Sequence, residues 1–149
     1  MASRTLVTLI AAGVAATLYV TASTASSTGW TVERYYTNET SHVFADIGKK
    51  GAGPDDIYVA QQSLTTLQGK SVGVVNGYGL NLKPPYVFFH WTATLADGTM
   101  TLESAVNLKH EVQTYAIAGG TGVYDGVRGT VTVSDAGKHG SLVVVRYEK

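Results

Sequence analysis

Residues 115–133 read Tyr-Ala-Ile-Ala-Gly-Gly-Thr-Gly-Val-Tyr-Asp-Gly-Val-Arg-Gly-Thr-Val-Thr-Val, two apolar runs around a glycine-dense turn. Gly119, Gly120 and Gly122 can adopt positive φ at little steric cost, so the chain can bend sharply there. A glycine-rich turn that cradles a nucleotide phosphate needs a helix after the glycines. Here Val127, Val131 and Val133 alternate with Arg128, Thr130 and Thr132, the period of a strand, and no P-loop lysine follows. The stretch is therefore strand, turn, strand.

Working outward, the same pattern repeats. Residues 30–38, 57–67, 71–78, 86–95, 99–108, 110–118, 123–134 and 140–147 form eight predicted strands, rich in β-branched and aromatic residues and separated by turn signals. No segment after residue 28 has a convincing helical period. Evenly spaced strands mean a sandwich or a barrel, and eight can close around side chains or one small ligand. Residues 45–56 are a loop carrying Gly48, Gly51, Gly53 and Pro54. Asp55 and Asp56 there point opposite ways if extended and cap a turn rather than form a catalytic pair.

Residues 1–28 are expected to lie outside the fold. Arg4 precedes an apolar run over 6–20, and small residues follow, which is the order of a secretory signal peptide. An uncleaved membrane anchor is the alternative. The domain is then 29–149, and the protein is expected to be exported or anchored at its amino terminus. The 149-residue chain carries a formal net charge of zero and no cysteine. Neutrality removes the electrostatic case for nucleic acid or an anionic membrane surface. Lack of cysteine excludes disulfides, thiol nucleophiles and thiolate-bound metals. The four histidines are scattered, so no metal site is expected, and no cofactor is called for.

The run Ala116-Ile-Ala-Gly-Gly-Thr-Gly-Val-Tyr-Asp-Gly-Val-Arg-Gly129 resembles the signature of the allene oxide cyclase and dirigent superfamily. Weaker similarity covers Ser71-Val-Gly-Val-Val-Asn-Gly77 and Leu95-Ala-Asp-Gly-Thr99, so that residues 55–147 are spanned in all. The resemblance implies an all-β, single eight-stranded antiparallel barrel around an apolar cavity. It implies cyclisation or dirigent-type steering of a hydrophobic small molecule, including Diels–Alder-type closures in bacterial polyketide pathways. It also implies a homo-oligomer, a dimer being favoured over a trimer. Two departures stand out. The dirigent pattern Phe-Asp-Asp-Pro-Leu-Thr is Ala60-Gln61-Gln62-Ser63-Leu64-Thr65 here, and the plant cyclase's cysteine has no counterpart.

Asp97-Gly98 between alternating runs signals a hairpin. As a two-residue loop it sets Leu95 opposite Met100, Ala93 opposite Leu102 and Trp91 opposite Ser104. The inward face is then Val87, Phe89, Trp91, Ala93, Leu95, Met100, Leu102, Val106 and Leu108; His90 and Glu103 face out. Tyr86 and Phe88, also outward, are expected beside Leu142 and Val144 as a subunit interface. Trp91, Tyr115 and Asn76 are the candidate catalytic residues. Gln61, Tyr78, Phe89, Met100, Leu102 and Val131 are the candidate substrate contacts. For Asn76 and Gln61 two readings stand side by side: bonds to backbone at strand ends, or a grip on a ligand carbonyl. Trp91 either fills the core or forms a cavity wall. The parity of residues 57–67 is left open.

Overall fold

The computed structural model describes residues 29–51 and 53–149; the expected leader at 1–28 lies outside the described residues. The strands are β1 (Thr31–Ala45), β2 (Ile57–Thr66), β3 (Ser71–Asn81), β4 (Tyr86–Leu95), β5 (Gly98–Asn107), β6 (Val112–Gly120), β7 (Arg128–Asp135) and β8 (Ser141–Glu148). Each pairs antiparallel with its chain neighbour, and β1 pairs with β8, so the sheet closes into a barrel. Helix among the described residues is limited to two single 3₁₀ turns, Gly122–Tyr124 and Gly137–His139.

Closure is staggered. β1 pairs with β8 over Thr31–Thr37 and with β2 over Tyr35–Ala45, so its second half extends beyond β8. The expected first strand thus runs seven residues further than 38, and Val43 and Phe44 on the extension are exposed. The expected loop at 77–85 shrinks to 82–85, because β3 continues to Asn81 against Val87.

The β4–β5 hairpin turns one residue earlier than expected. Leu95 pairs with Gly98, which leaves Ala96-Asp97 as the loop and places Leu102, not Ser104, opposite Trp91. The pairing slips by two positions. An even slip leaves every side chain on its expected face. Val87, Trp91, Met100, Leu102 and Val106 are accordingly buried inside, and His90 pairs outward with Glu103, Nδ1 to Oε1 at 2.8 Å; Leu108, expected inside, is exposed because β5 ends at Asn107.

Strand β3 sets the parity that the sequence left open. Gly73, Gly77 and Gly79 face inward with Val75, and Ala60 and Leu64 of β2 lie opposite Gly77 and Gly73. The glycines are there because β4 needs their space. A Cβ on Gly77 would enter the Trp91 ring and the His90 carbonyl, and one on Gly79 would enter the Phe89 ring. Two flat aromatics from one strand thus fill the volume that the next strand vacates.

The loop after β1 is held by a buried carboxylate. Asp56 is 1% exposed. Its Oδ2 accepts the Gly53 N–H at 2.7 Å and its Oδ1 the Ile47 N–H at 2.9 Å. This bears out a turn-capping role. The Gly53 bond first, then the Ile47 bond, hold its pKa below the usual carboxylate range, against an opposing push from burial. A folded-state pKa below the unfolded one stabilises above the unfolded value, near 4, and is lost as pH falls through the folded value. Asp56→Asn is therefore expected to be less stable than wild type at neutral pH, with the difference shrinking below about pH 4. Melting curves across pH test this; a constant difference would refute it.

Candidate functional site

Inside the barrel lies a cavity of about 100 Å³. Its apolar wall comes from β4, β5, β7 and β8 and includes Trp91, Met100, Leu102, Val131, Val143 and Val145. Val131 is fully buried, as a mid-strand valine at the barrel axis should be. Tyr115 of β6 also lines the space, buried in the core. Burial pushes its phenol up to about 12, and the neighbouring Trp91 indole offsets part of that rise. Tyr115 is thus a hydrogen-bond donor at any ordinary pH. Phe89 stands behind the wall: it stacks on Trp91 at 5.6 Å between ring centroids and meets Tyr115 edge-on at 6.2 Å. Such pairs fix ring orientation as well as burying area.

Trp91, Tyr115, Met100, Leu102 and Val131 therefore gather where the sequence placed them, with Phe89 as their support. Three expected residues do not. Asn76 and Tyr78 share the outer face of β3, because the glycines hold the inner one. Tyr78 is 41% exposed and stacks on His90 at 5.4 Å. Gln61 also faces out, where its Nε2 donates to Asn76 Oδ1 at 2.9 Å. Neither reading of that pair holds: they bond to each other across the outer wall. The side chains that reach the cavity from this strand are Gln62 and Leu64. Tyr86 and Phe88 face out but sit on the wall of β3 to β5, next to Leu80 and Ala105. They are not beside Leu142 and Val144, which belong to β8 across the barrel.

The cavity has a polar end that the sequence does not announce. Glu33, Tyr35 and Thr37 alternate along β1 and line it. Tyr35 donates its hydroxyl to Glu33 Oε2 at 2.7 Å, and Tyr147 of β8 donates to Glu33 Oε1 at 3.1 Å. Tyr124, from the 3₁₀ turn of the glycine motif, packs edge-on against Tyr147 at 6.0 Å. Burial, and then the Glu33 carboxylate, hold all three phenols well above the usual tyrosine range, Tyr124 at about 12. Among the described residues, no Lys, Arg or His lies within ion-pair distance of Glu33. No group of three possible metal ligands occurs among them either.

The chain is thus a closed eight-stranded β-barrel with an apolar chamber and one polar end. Known structures agree. A pyocyanin demethylase structure superposes with a TM-score of 0.70 at 25% identity, over 78% of this chain and 98% of that one. AbnU, described as an exo-specific intermolecular Diels–Alderase, gives 0.67 at 12% identity, over 79% and 96%. The pterocarpan synthase dirigent protein GePTS1 gives 0.63 at 18%, over 79% and 81%. These are barrels of one superfamily, and the chain has their fold. No protein-family model matches the chain, and no curated protein matches it in sequence.

Proposed function

We propose that the chain is a cofactor-free cyclase. Its substrate is a hydrophobic polyene- or polyketide-type molecule, and the reaction is an intramolecular ring closure of the [4+2] or a related kind in natural-product biosynthesis. The observation that carries this reading is the Trp91 wall, backed by Phe89 and flanked by a buried phenol. Structural neighbours are named for demethylation, dirigent synthesis and cycloaddition, so the fold alone does not choose the chemistry. The interior does. A flat wall holds a conjugated chain in one folded conformer, and bringing reacting carbons together supplies several kcal/mol through proximity and orientation. The Tyr115 hydroxyl can donate to a substrate carbonyl and draw charge toward it in the transition state.

The size of the chamber matters. A dry cavity of roughly 150 Å³ in another protein takes up benzene. This one, at about 100 Å³, is smaller, so it holds no more than a ring-sized portion, and the rest of a longer substrate would run to the mouth. That same observation favours a second reading, a barrel that binds or steers a small molecule without turning it over. Export, and a homodimer formed through the apolar outer wall around Val59, Leu80 and Phe88, belong to the same proposal.

The deciding assay offers the protein a linear trienone bearing a tethered alkene and follows the loss of polyene absorbance. Tyr115→Phe is expected to keep binding and slow closure about tenfold, the value of one neutral hydrogen bond of about 1–1.5 kcal/mol. Binding with no rate above buffer would leave the steering barrel as the function.

A further inference from the structure

We infer that Glu33 is an anchor for a positively charged nitrogen on the ligand, so that the chamber selects cationic conjugated molecules over neutral ones of the same shape. The inference rests on the reading that the chamber is a ligand site, and it names the class of ligand.

Among the described residues that line the cavity, Glu33 is the one charged side chain. Its two oxygens each accept one phenol, from Tyr35 and Tyr147. A carboxylate offers about four lone-pair positions, so roughly two remain for a ligand. The phenols orient the carboxylate without neutralising it, and no basic side chain stands against it among the described residues.

A neutral apolar ligand filling this space would strip water from the carboxylate and return nothing. Burying an uncompensated charge is far costlier than burying any neutral polar group. A cationic nitrogen reverses that balance. The surroundings suit a delocalised cation in particular. Trp91, Tyr115, Tyr124 and Tyr35 present aromatic surface around the cavity, and ring faces attract weakly hydrated cations. An anion would meet only repulsion from Glu33. The polar and apolar halves thus have separate roles, β1 and β8 holding the charge while β4 and β6 hold the conjugated body.

N-Methylpyridinium and toluene test this directly. They share a shape and differ by one fixed charge that pH cannot remove. Titration calorimetry of the full chain is expected to show N-methylpyridinium binding about tenfold or more tighter than toluene. Glu33→Gln should abolish that preference while leaving toluene binding intact or improved. Tyr147→Phe retains the carboxylate and should retain the preference, which guards against a Glu33→Gln protein that merely folds poorly. Equal binding of both probes by wild type would overturn the anchor and leave the chamber standing. An unchanged preference in a folded Glu33→Gln protein would also overturn it. Failure of both probes to bind would remove the ligand chamber itself, and the anchor with it.

Discussion

Trp91→Ala is expected to lower the unfolding free energy by about 3–5 kcal/mol, the range for deleting a large buried aromatic. The indole is 8% exposed, stacks on Phe89 and lies over Gly77, whose missing side chain gives it room. Removing it strands three surfaces at once: the Phe89 face, the Gly77 backbone and the inner side of Leu102 opposite. The new void adjoins an existing cavity, so collapse around it is hindered, and this puts the loss toward the upper part of the range. Trp91→Phe keeps a flat ring and should lose about 1–2 kcal/mol. Its larger effect is expected on the rate or product ratio of ring closure. Urea denaturation of both variants decides the matter. A Trp91→Ala protein within about 1 kcal/mol of wild type would falsify the packed-wall account.

Gly122→Ala should be nearly as severe, for a different reason. Gly122 has φ +62, a left-handed conformation that costs an L-residue about 1–2 kcal/mol. A Cβ there also enters the Asp97 carbonyl, which is backbone and cannot swing away. Overpacking of that kind adds roughly 1–3 kcal/mol. The glycine motif is thus a contact between two turns. Thr121 donates its N–H to the Thr99 carbonyl at 2.9 Å, and Val123 donates to Asp97 at 3.1 Å. The turn also sets Tyr124 beside Tyr147 at the polar end of the cavity, so the variant should weaken ligand binding along with stability. Gly126→Ala is the control: φ is +74, but nothing stands within 4 Å of a Cβ. Similar losses at the two sites would show that backbone conformation, not the contact, is what matters.

The sequence discloses most of the barrel and about half of its interior, and the division has physical causes. Strands β4, β5 and β7 carry large apolar residues at alternate positions, so their faces are legible, and the even slip in the hairpin does no harm. Strand β3 misleads because its inward positions are mostly glycine. Reading Asn76 and Tyr78 as inward-facing assumes that volume marks the core. In fact Gly73, Gly77 and Gly79 mark it, by leaving space for Phe89 and Trp91. The usable signal is a pairing of absences with excess: alternate glycines on one strand, alternate aromatics on the next. Gln61 is misplaced for a related reason, since its strand takes parity from β3. Glu33 escapes notice because β1 has polar and aromatic residues on both faces. Nothing in Thr31, Glu33, Tyr35 and Thr37 distinguishes them from Val32, Arg34 and Tyr36 until β8 is laid alongside.

The seam between β1 and β8 has a consequence for how the molecule comes into being. Every other strand pair can zip from its own turn, whereas Thr31 must find Tyr147 across nearly the whole domain. Such long-range pairing is slow, because loop entropy is lost before any contact rewards it. On the ribosome the chamber cannot exist until the final strand has emerged, since Val143 and Val145 are part of its wall and Tyr147 holds Glu33. A circular permutant that joins the two ends of the domain and opens the exposed turn at Leu67–Lys70 turns this seam into a local hairpin. It should fold faster than the natural order while enclosing the same space.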